Sequence, residues 1–295
     1  MAKKTIIKNG SEVYKGQSEL KRAFVELSKN KLAMLGLYIF VFELIIALIS
    51  PLIMPYDYTA MDSTALRQAP SAAHWFGTDN LGRDILSRIM YGGRYSLTMG
   101  LIATCLSTFI GMAIGAIAGY AGGAVDNIIM RILDVIQSLP GMLLTIVISA
   151  VLGSGWFNTI LALSVGGIPG AARMLRGNML KQREAEYIEA ARSINCSSRR
   201  IILNHLIPNS FSANIIGLTM GVGATITTAA SLSFIGLGVQ PPIPDWGAML
   251  SGARQFIRQS PHMVIFPGLA IAVTVFALNI LGDGVRDAFD PKLKK

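Results

Sequence analysis

The chain has 295 residues, a formal net charge of +9, 52% hydrophobic and 15% charged residues, and a mean hydropathy of +0.51. That balance marks a membrane protein and excludes a soluble enzyme, a disordered tail and a disulfide-stapled secreted domain. Uncharged runs from Tyr95 to Val125, Val135 to Ala172 and Gln259 to Gly282 each exceed the roughly 20 residues that a bilayer crossing needs.

Residues 1–31 form a polar tail, after which the first apolar helix is expected over 32–56, broken only by Glu43. That segment starts too late and runs too long for the h-region of a cleavable signal peptide, so none is expected. A loop follows over 57–95. The rest, 96–285, reads as five more helices, giving six crossings and an all-α membrane fold. The second is expected over about Ser96 to Tyr120, and the third over about Ile129 to Leu152, with Arg131 and Asp134 near its start. A Gly-Ser-Gly-Trp turn at 153–156 precedes a fourth, about Phe157 to Leu175, which Gly166, Gly167, Pro169 and Gly170 should interrupt. A polar loop at 182–209 leads to a fifth, about Asn214 to Leu237, and a sixth, about Met263 to Leu281, and residues 286–295 form a tail.

An even number of crossings puts both termini on one side, and Lys and Arg decide which. Eight lie in the tail up to Lys31, seven between Arg173 and Ser212, and four after Gly282. Only four lie between Asp57 and Arg94 and two between Gln240 and Pro261. Both termini are therefore expected in the cytoplasm of a prokaryotic cell, and the positive charge reads as topogenic and lipid-facing. The basic clusters lack interleaved stacking aromatics, so no nucleic acid is expected as a partner.

Gly111, Gly115 and Gly119 line one helical face and allow close approach of another backbone, either within the subunit or across a subunit interface. Gly217 and Gly221 repeat the spacing. Glu43 is the one acid deep in a span, so a proton or sodium relay lacks its usual groups. His74, His205 and His262 are scattered, so no metal site is expected. Cys105 and Cys196 lie in unlike segments and form no framework. No Gly-Lys pair occurs, so there is no Walker A loop and any ATP must be bound elsewhere.

The most informative segment is Gln182 to Asn209, QREAEYIEAARSINCSSRRIILNHLIPN. Ile188, Ala191 and Ile194 recur at helical spacing, as do Ile202, Leu203 and Leu206, which predicts helix, turn, helix. Asn195 should end the first helix in left-handed geometry, Ser197 or Ser198 should cap the second, and Pro208 should break the chain before the fifth span.

This segment resembles the EAA loop of ABC importer permeases, with Glu189, Ala190, Ala191 and Pro208 in place. Asn195 stands where that family has Gly, and Ile207 where it has Leu. His205 and the His-x-x-Pro-Asn ending are similar to the dipeptide and oligopeptide subfamily. HWFGTDNLGRDILSRIMYGGRYSL (74–97), SFIGLGVQPPIPDWGAML (233–250) and LGDGVRDAFDP (281–291) resemble other segments of that subfamily's second, C-type permease.

The resemblance implies a type I importer permease fold and a non-catalytic subunit with no cofactor of its own. It implies two ATPase subunits that hold ATP and Mg, a second homologous permease completing a heterodimer, and an extracytoplasmic substrate-binding protein. The loop would be a coupling helix, with Glu189 and Arg192 at the rim of an ATPase cleft and Ala190 and Ala191 allowing close docking. The solute would be a dipeptide or oligopeptide, the alternatives being nickel or an oligosaccharide. A stand-alone secondary carrier or channel is disfavoured by the EAA loop and the missing relay, and an intramembrane enzyme by the lack of a nucleophile and base.

At the external mouth, Gly77, Thr78, Asp79, Gly82, Arg83 and Asp84 read either as a contact with the binding protein or as a turn held by an Asp–Arg pair. Pro241, Pro242, Pro244, Asp245 and Trp246 read as an external gate, or Trp246 as a headgroup anchor.

Overall fold

The computed structural model describes residues 19–289, and among them every regular element is helical. Of the two expected tails, 1–31 and 286–295, residues 1–18 and 290–295 lie outside the described residues. Within the expected N-terminal tail, α1 spans Glu19–Lys29 and packs on the C-terminal helix. Asn30 then caps α2 (Lys31–Ile53), its side-chain oxygen accepting from the backbone N–H groups of Leu32 and Ala33 at 3.1 and 3.2 Å. Long apolar side chains stay exposed along α2, among them Phe42, Leu48 and Leu52, as lipid contact requires.

The second helix, α3 (Ile85–Ala121), begins at Ile85 rather than near Ser96. Asp84 caps it, accepting from Ser87 N–H at 2.8 Å. Gly122, with φ of 65°, ends it.

The expected third span is not one helix. α4 (Gly123–Gln137) and α5 (Gly141–Leu152) meet at 84°, so the run is a broken span or a re-entrant segment. Pro140 explains the break, because it has no N–H to donate and pushes Leu139 out of helical geometry.

Conversely, the expected fourth span continues through its Gly and Pro residues as α6 (Trp156–Arg183), with Pro169 buried inside. By length and apolar character, four helices qualify as spans among the described residues, or five with the bent pair. α6 is long enough but is not among them, so these criteria give fewer than the six crossings read from the sequence.

After α6 come α7 (Glu186–Ser193), the short α8 (Ser198–Ile201), one π-helical turn at 202–206, and α9 (Ile207–Phe234). Pro208 does not break the chain: it falls in the first turn of α9, which follows without interruption. The widened turn before it, closed by the Ile207 N–H bonding to Ile202 O, absorbs the missing donor. α10 (Trp246–Ala253) and α11 (His262–Phe289) complete the chain.

The core is α3 against α6, with α9 and α11 beside them. Here the glycine stripe acts. A Cβ on Gly111 would lie 2.6 Å from Ala171 Cβ and one on Gly115 2.3 Å from Ala172 O. One on Gly119 would lie 3.0 Å from Met179 Cβ. The stripe therefore packs within the subunit.

Candidate functional site

The loop after α6 is built as a knob seated on the bundle. Ile188 and Ala191 turn inward onto Met112 and Ala116 of α3 and Leu175 and Met179 of α6, joined by Ile201 and Leu206. Asn195 N–H bonds to Arg192 O at 2.9 Å and Cys196 N–H to Ala191 O at 3.0 Å, the paired bonds of a Schellman turn. Asn195 has φ of 56°, the left-handed geometry expected of it.

This arrangement divides the Glu-Ala-Ala triplet. Ala191 is only 8% exposed and anchors the helix from inside, so it does not offer a docking surface. Glu189, Ala190 and Arg192 face outward. Ile194, which spacing placed on the buried stripe with Ile188 and Ala191, is instead 79% exposed, because the chain leaves the helix at that residue. The outward face is thus a small apolar patch, Ala190 and Ile194, bordered by an acid and a base. His205 is half-buried, its ring 6.4 Å from that of Tyr187, whose hydroxyl bonds to Gln182 at 2.6 Å. The side chain of Pro208 lies outside the described set.

At the other end of the bundle, the residues read as possible contacts are mostly internal. Asp79 accepts from the N–H groups of Leu81 at 2.8 Å and Arg83 at 3.0 Å, and pairs with Arg83 Nε at 2.7 Å. Asp84 caps α3 and meets His74 Nδ1 at 3.0 Å. Gly77 has φ of 76°, and a Cβ there would run into Gln68 O and the His262 ring. Phe76 stacks on Phe266 of α11 at 4.1 Å. Asp79, Arg83 and Asp84 therefore hold the mouth together and leave little surface for a partner. A buried charge is retained only when it is paired and hydrogen-bonded in this way.

Asp245 and Trp246 are likewise turned inward. Asp245 is 1% exposed, caps α10 through Ala248 N–H at 3.2 Å, and accepts from Ser96 Oγ of α3 at 2.6 Å. Burial pushes its carboxyl pKa above the ordinary value, against the opposing pull of its hydrogen bonds from Ser96 and Ser233. Trp246 donates Nε1–H to Ile89 O at 3.0 Å, so it is a strut between α10 and α3, not a headgroup anchor. Of the expected gate residues, Pro241 and Pro242 are exposed, whereas Pro244 is buried with Asp245 and Trp246.

Between these ends the bundle holds a cleft of about 240 Å³ that sequence reasoning did not find. Ser107, Thr145, Gly166, Gly167, Thr225 and Thr228 line it together with Met142 and Leu163, and no ionisable side chain does. Elsewhere, Glu43 accepts from Thr274 Oγ1 of α11 at 2.8 Å and faces an apolar groove.

A helical bundle with a lipid-facing apolar exterior, an uncharged internal cleft and a short helix presented beyond it is the architecture of a multi-pass membrane permease subunit. The chain belongs to the family described as the inner membrane component of binding-protein-dependent transport systems, which matches residues 111–295. Residues 18–70 match the N-terminal transmembrane domain of oligopeptide transport permease C.

The chain is 43% identical over 281 residues to the dipeptide transport system permease protein DppC of Alkalihalophilus pseudofirmus, spanning 95% of this chain and 92% of that one. It is 49% identical over 243 residues to the glutathione transport system permease protein GsiD of Pectobacterium atrosepticum, spanning 82% and 81%. The MetNI methionine ABC transporter in inward-facing conformations shares the fold, with a TM-score of 0.56 at 18% identity, covering 68% of this chain and 96% of that one. The fold is that of type I ABC importer permeases, and the chain is a membrane-embedded ABC importer permease subunit.

Proposed function

We propose that this chain forms half of the translocation path of a peptide importer, paired with a second homologous permease. Two ATPase subunits bind ATP and Mg on the cytoplasmic side, and a binding protein delivers the solute from outside. In this reading both termini and the loop at 182–209 face the cytoplasm, an orientation that the distribution of Lys and Arg supports. ATP hydrolysis resides in the partners, and this chain transmits it as motion.

The observation that carries the coupling role is the outward face of α7: Glu189, Ala190, Arg192 and Ile194 exposed, on a helix fixed from behind by Ile188 and Ala191. A rigidly seated knob passes a displacement of the ATPase into α3 and α6, whereas a loosely held loop would absorb it. Peptides are supported as the solute by the two relatives' names and by the uncharged cleft, since a metal path would present carboxylate, thiolate or imidazole groups.

The test is uptake of labelled di- to pentapeptides by vesicles containing the full complex and its binding protein. ATP-dependent accumulation is expected. Accumulation of nickel or an oligosaccharide with none of any peptide would overturn the solute assignment.

A further inference from the structure

The hydroxyl groups of the cleft are oriented alike. Thr145 Oγ1 lies 2.8 Å from Gly141 O, Thr225 Oγ1 2.9 Å from Gly221 O, Thr228 Oγ1 3.0 Å from Ala224 O, and Ser107 Oγ 3.0 Å from Thr104 O. A carbonyl oxygen cannot donate, so each hydroxyl proton is committed to its own helix. What remains at each oxygen is acceptor capacity, part of which Thr225 gives to the Thr104 hydroxyl at 2.9 Å.

No lining side chain carries an N–H group. Gly141 and Met142, which also line the cleft, lie in the first turn of α5, where backbone N–H groups have no partner within the helix and no side chain caps it. Two glycines keep the hydroxyls open. A Cβ on Gly167 would stand 2.7 Å from Ser107 Oγ, and one on Gly166 would stand 3.3 Å from Thr145 Oγ1.

An uncharged site that offers both hydroxyl acceptors and backbone donors is complementary to a secondary amide. We propose that this cleft is a binding site for one amide group of the passing peptide. The hydroxyl oxygens of Thr145 and Thr228 accept its N–H, and the first turn of α5 donates to its carbonyl. The site reads main chain and ignores side chains, which suits a path that passes peptides of many sequences. This inference rests on the peptide assignment above.

The test compares initial uptake of a short peptide and of the matching depsipeptide, in which an ester oxygen replaces one amide N–H, by the full complex with its binding protein. The wild type is expected to prefer the amide. Thr145→Val and Thr228→Val together should reduce that preference by about five-fold, the effect of one lost hydrogen bond, and each alone by less, while Thr145→Ser and Thr228→Ser keep it. Thr228 is only half-buried, so its variant reports even if Thr145→Val fails to assemble.

Equal preference in the wild type and the Val variants would overturn the proposal, because discrimination would then reside in the binding protein. A wild type that shows no preference would overturn it as well. Failure of the wild type to take up any peptide would refute the peptide reading itself, and this inference with it.

Discussion

Replacing Gly115 by Ala adds one methyl group at the tightest point between α3 and α6. That Cβ would sit 2.3 Å from Ala172 O and 3.1 Å from the Ala172 Cα and carbonyl carbon, all backbone atoms that cannot rotate away. The helices must part by roughly 1 Å to restore ordinary contact. Overpacking of this kind costs about 1–3 kcal/mol, and Ala recovers about 0.8–1.0 kcal/mol through helix propensity. The expected net loss is about 0–2 kcal/mol, towards the upper end because the contact is with backbone. Gly177→Ala isolates the propensity component, because a Cβ there meets nothing within 4 Å. It should stabilise by up to about 1 kcal/mol. Thermal unfolding of the detergent-purified complex separates the two, with Gly115→Ala melting below the wild type and Gly177→Ala at or above it. A Gly115→Ala complex as stable as Gly177→Ala would refute the close-packing argument.

Asn195→Gly should be nearly neutral, whereas Asn195→Val should lose about 1–2 kcal/mol at its positive φ and weaken recovery of the ATPase subunits in a pull-down. Equal recovery with both variants would count against the turn as a determinant of docking. Ile194→Ser removes an exposed apolar contact of about 2 kcal/mol if a partner buries it, so ATPase affinity should fall by about thirty-fold, with thermal stability of the isolated subunit unchanged. Asp245 has its pKa raised in the folded state by burial, so its contribution to stability is fully present below the ordinary carboxylate pKa and is lost as pH rises towards its folded pKa. The melting temperature of the wild type should therefore decline over that range more than that of Asp245→Asn, and parallel curves would contradict this.

Local signals in the chain were the ones most readily read. The left-handed turn at Asn195 followed from a residue type that tolerates that geometry at the end of an amphipathic segment. The glycine stripe announced a close approach, but its partner, α6, could be known only once the helices were assembled. Ile194 was misplaced because helical spacing was carried one step past the helix end that Asn195 itself marks. The break between α4 and α5 had a visible signal in Pro140, hidden by the uniform hydropathy of the run around it. Pro169 sent the opposite false signal in α6.

Contacts between distant segments left no local trace. Asp245 meets Ser96 from the far side of the sequence, so a residue with the look of a gate proved to be a buried cap. The cleft draws its hydroxyls from α3, α5 and α9, and each of them alone is an ordinary Ser or Thr in an apolar helix.

The central claim is that the exposed face of α7 transmits ATPase motion into the bundle, and Ala190→Arg tests it most directly. Ala190 faces outward, so a large charged side chain there leaves the Ile188 and Ala191 anchor in place and should not disturb membrane insertion. The measurement is substrate-stimulated ATP hydrolysis by the reconstituted complex with its loaded binding protein. The account predicts loss of the stimulation while the subunit still inserts at normal levels. Normal stimulation and transport in that variant would contradict it.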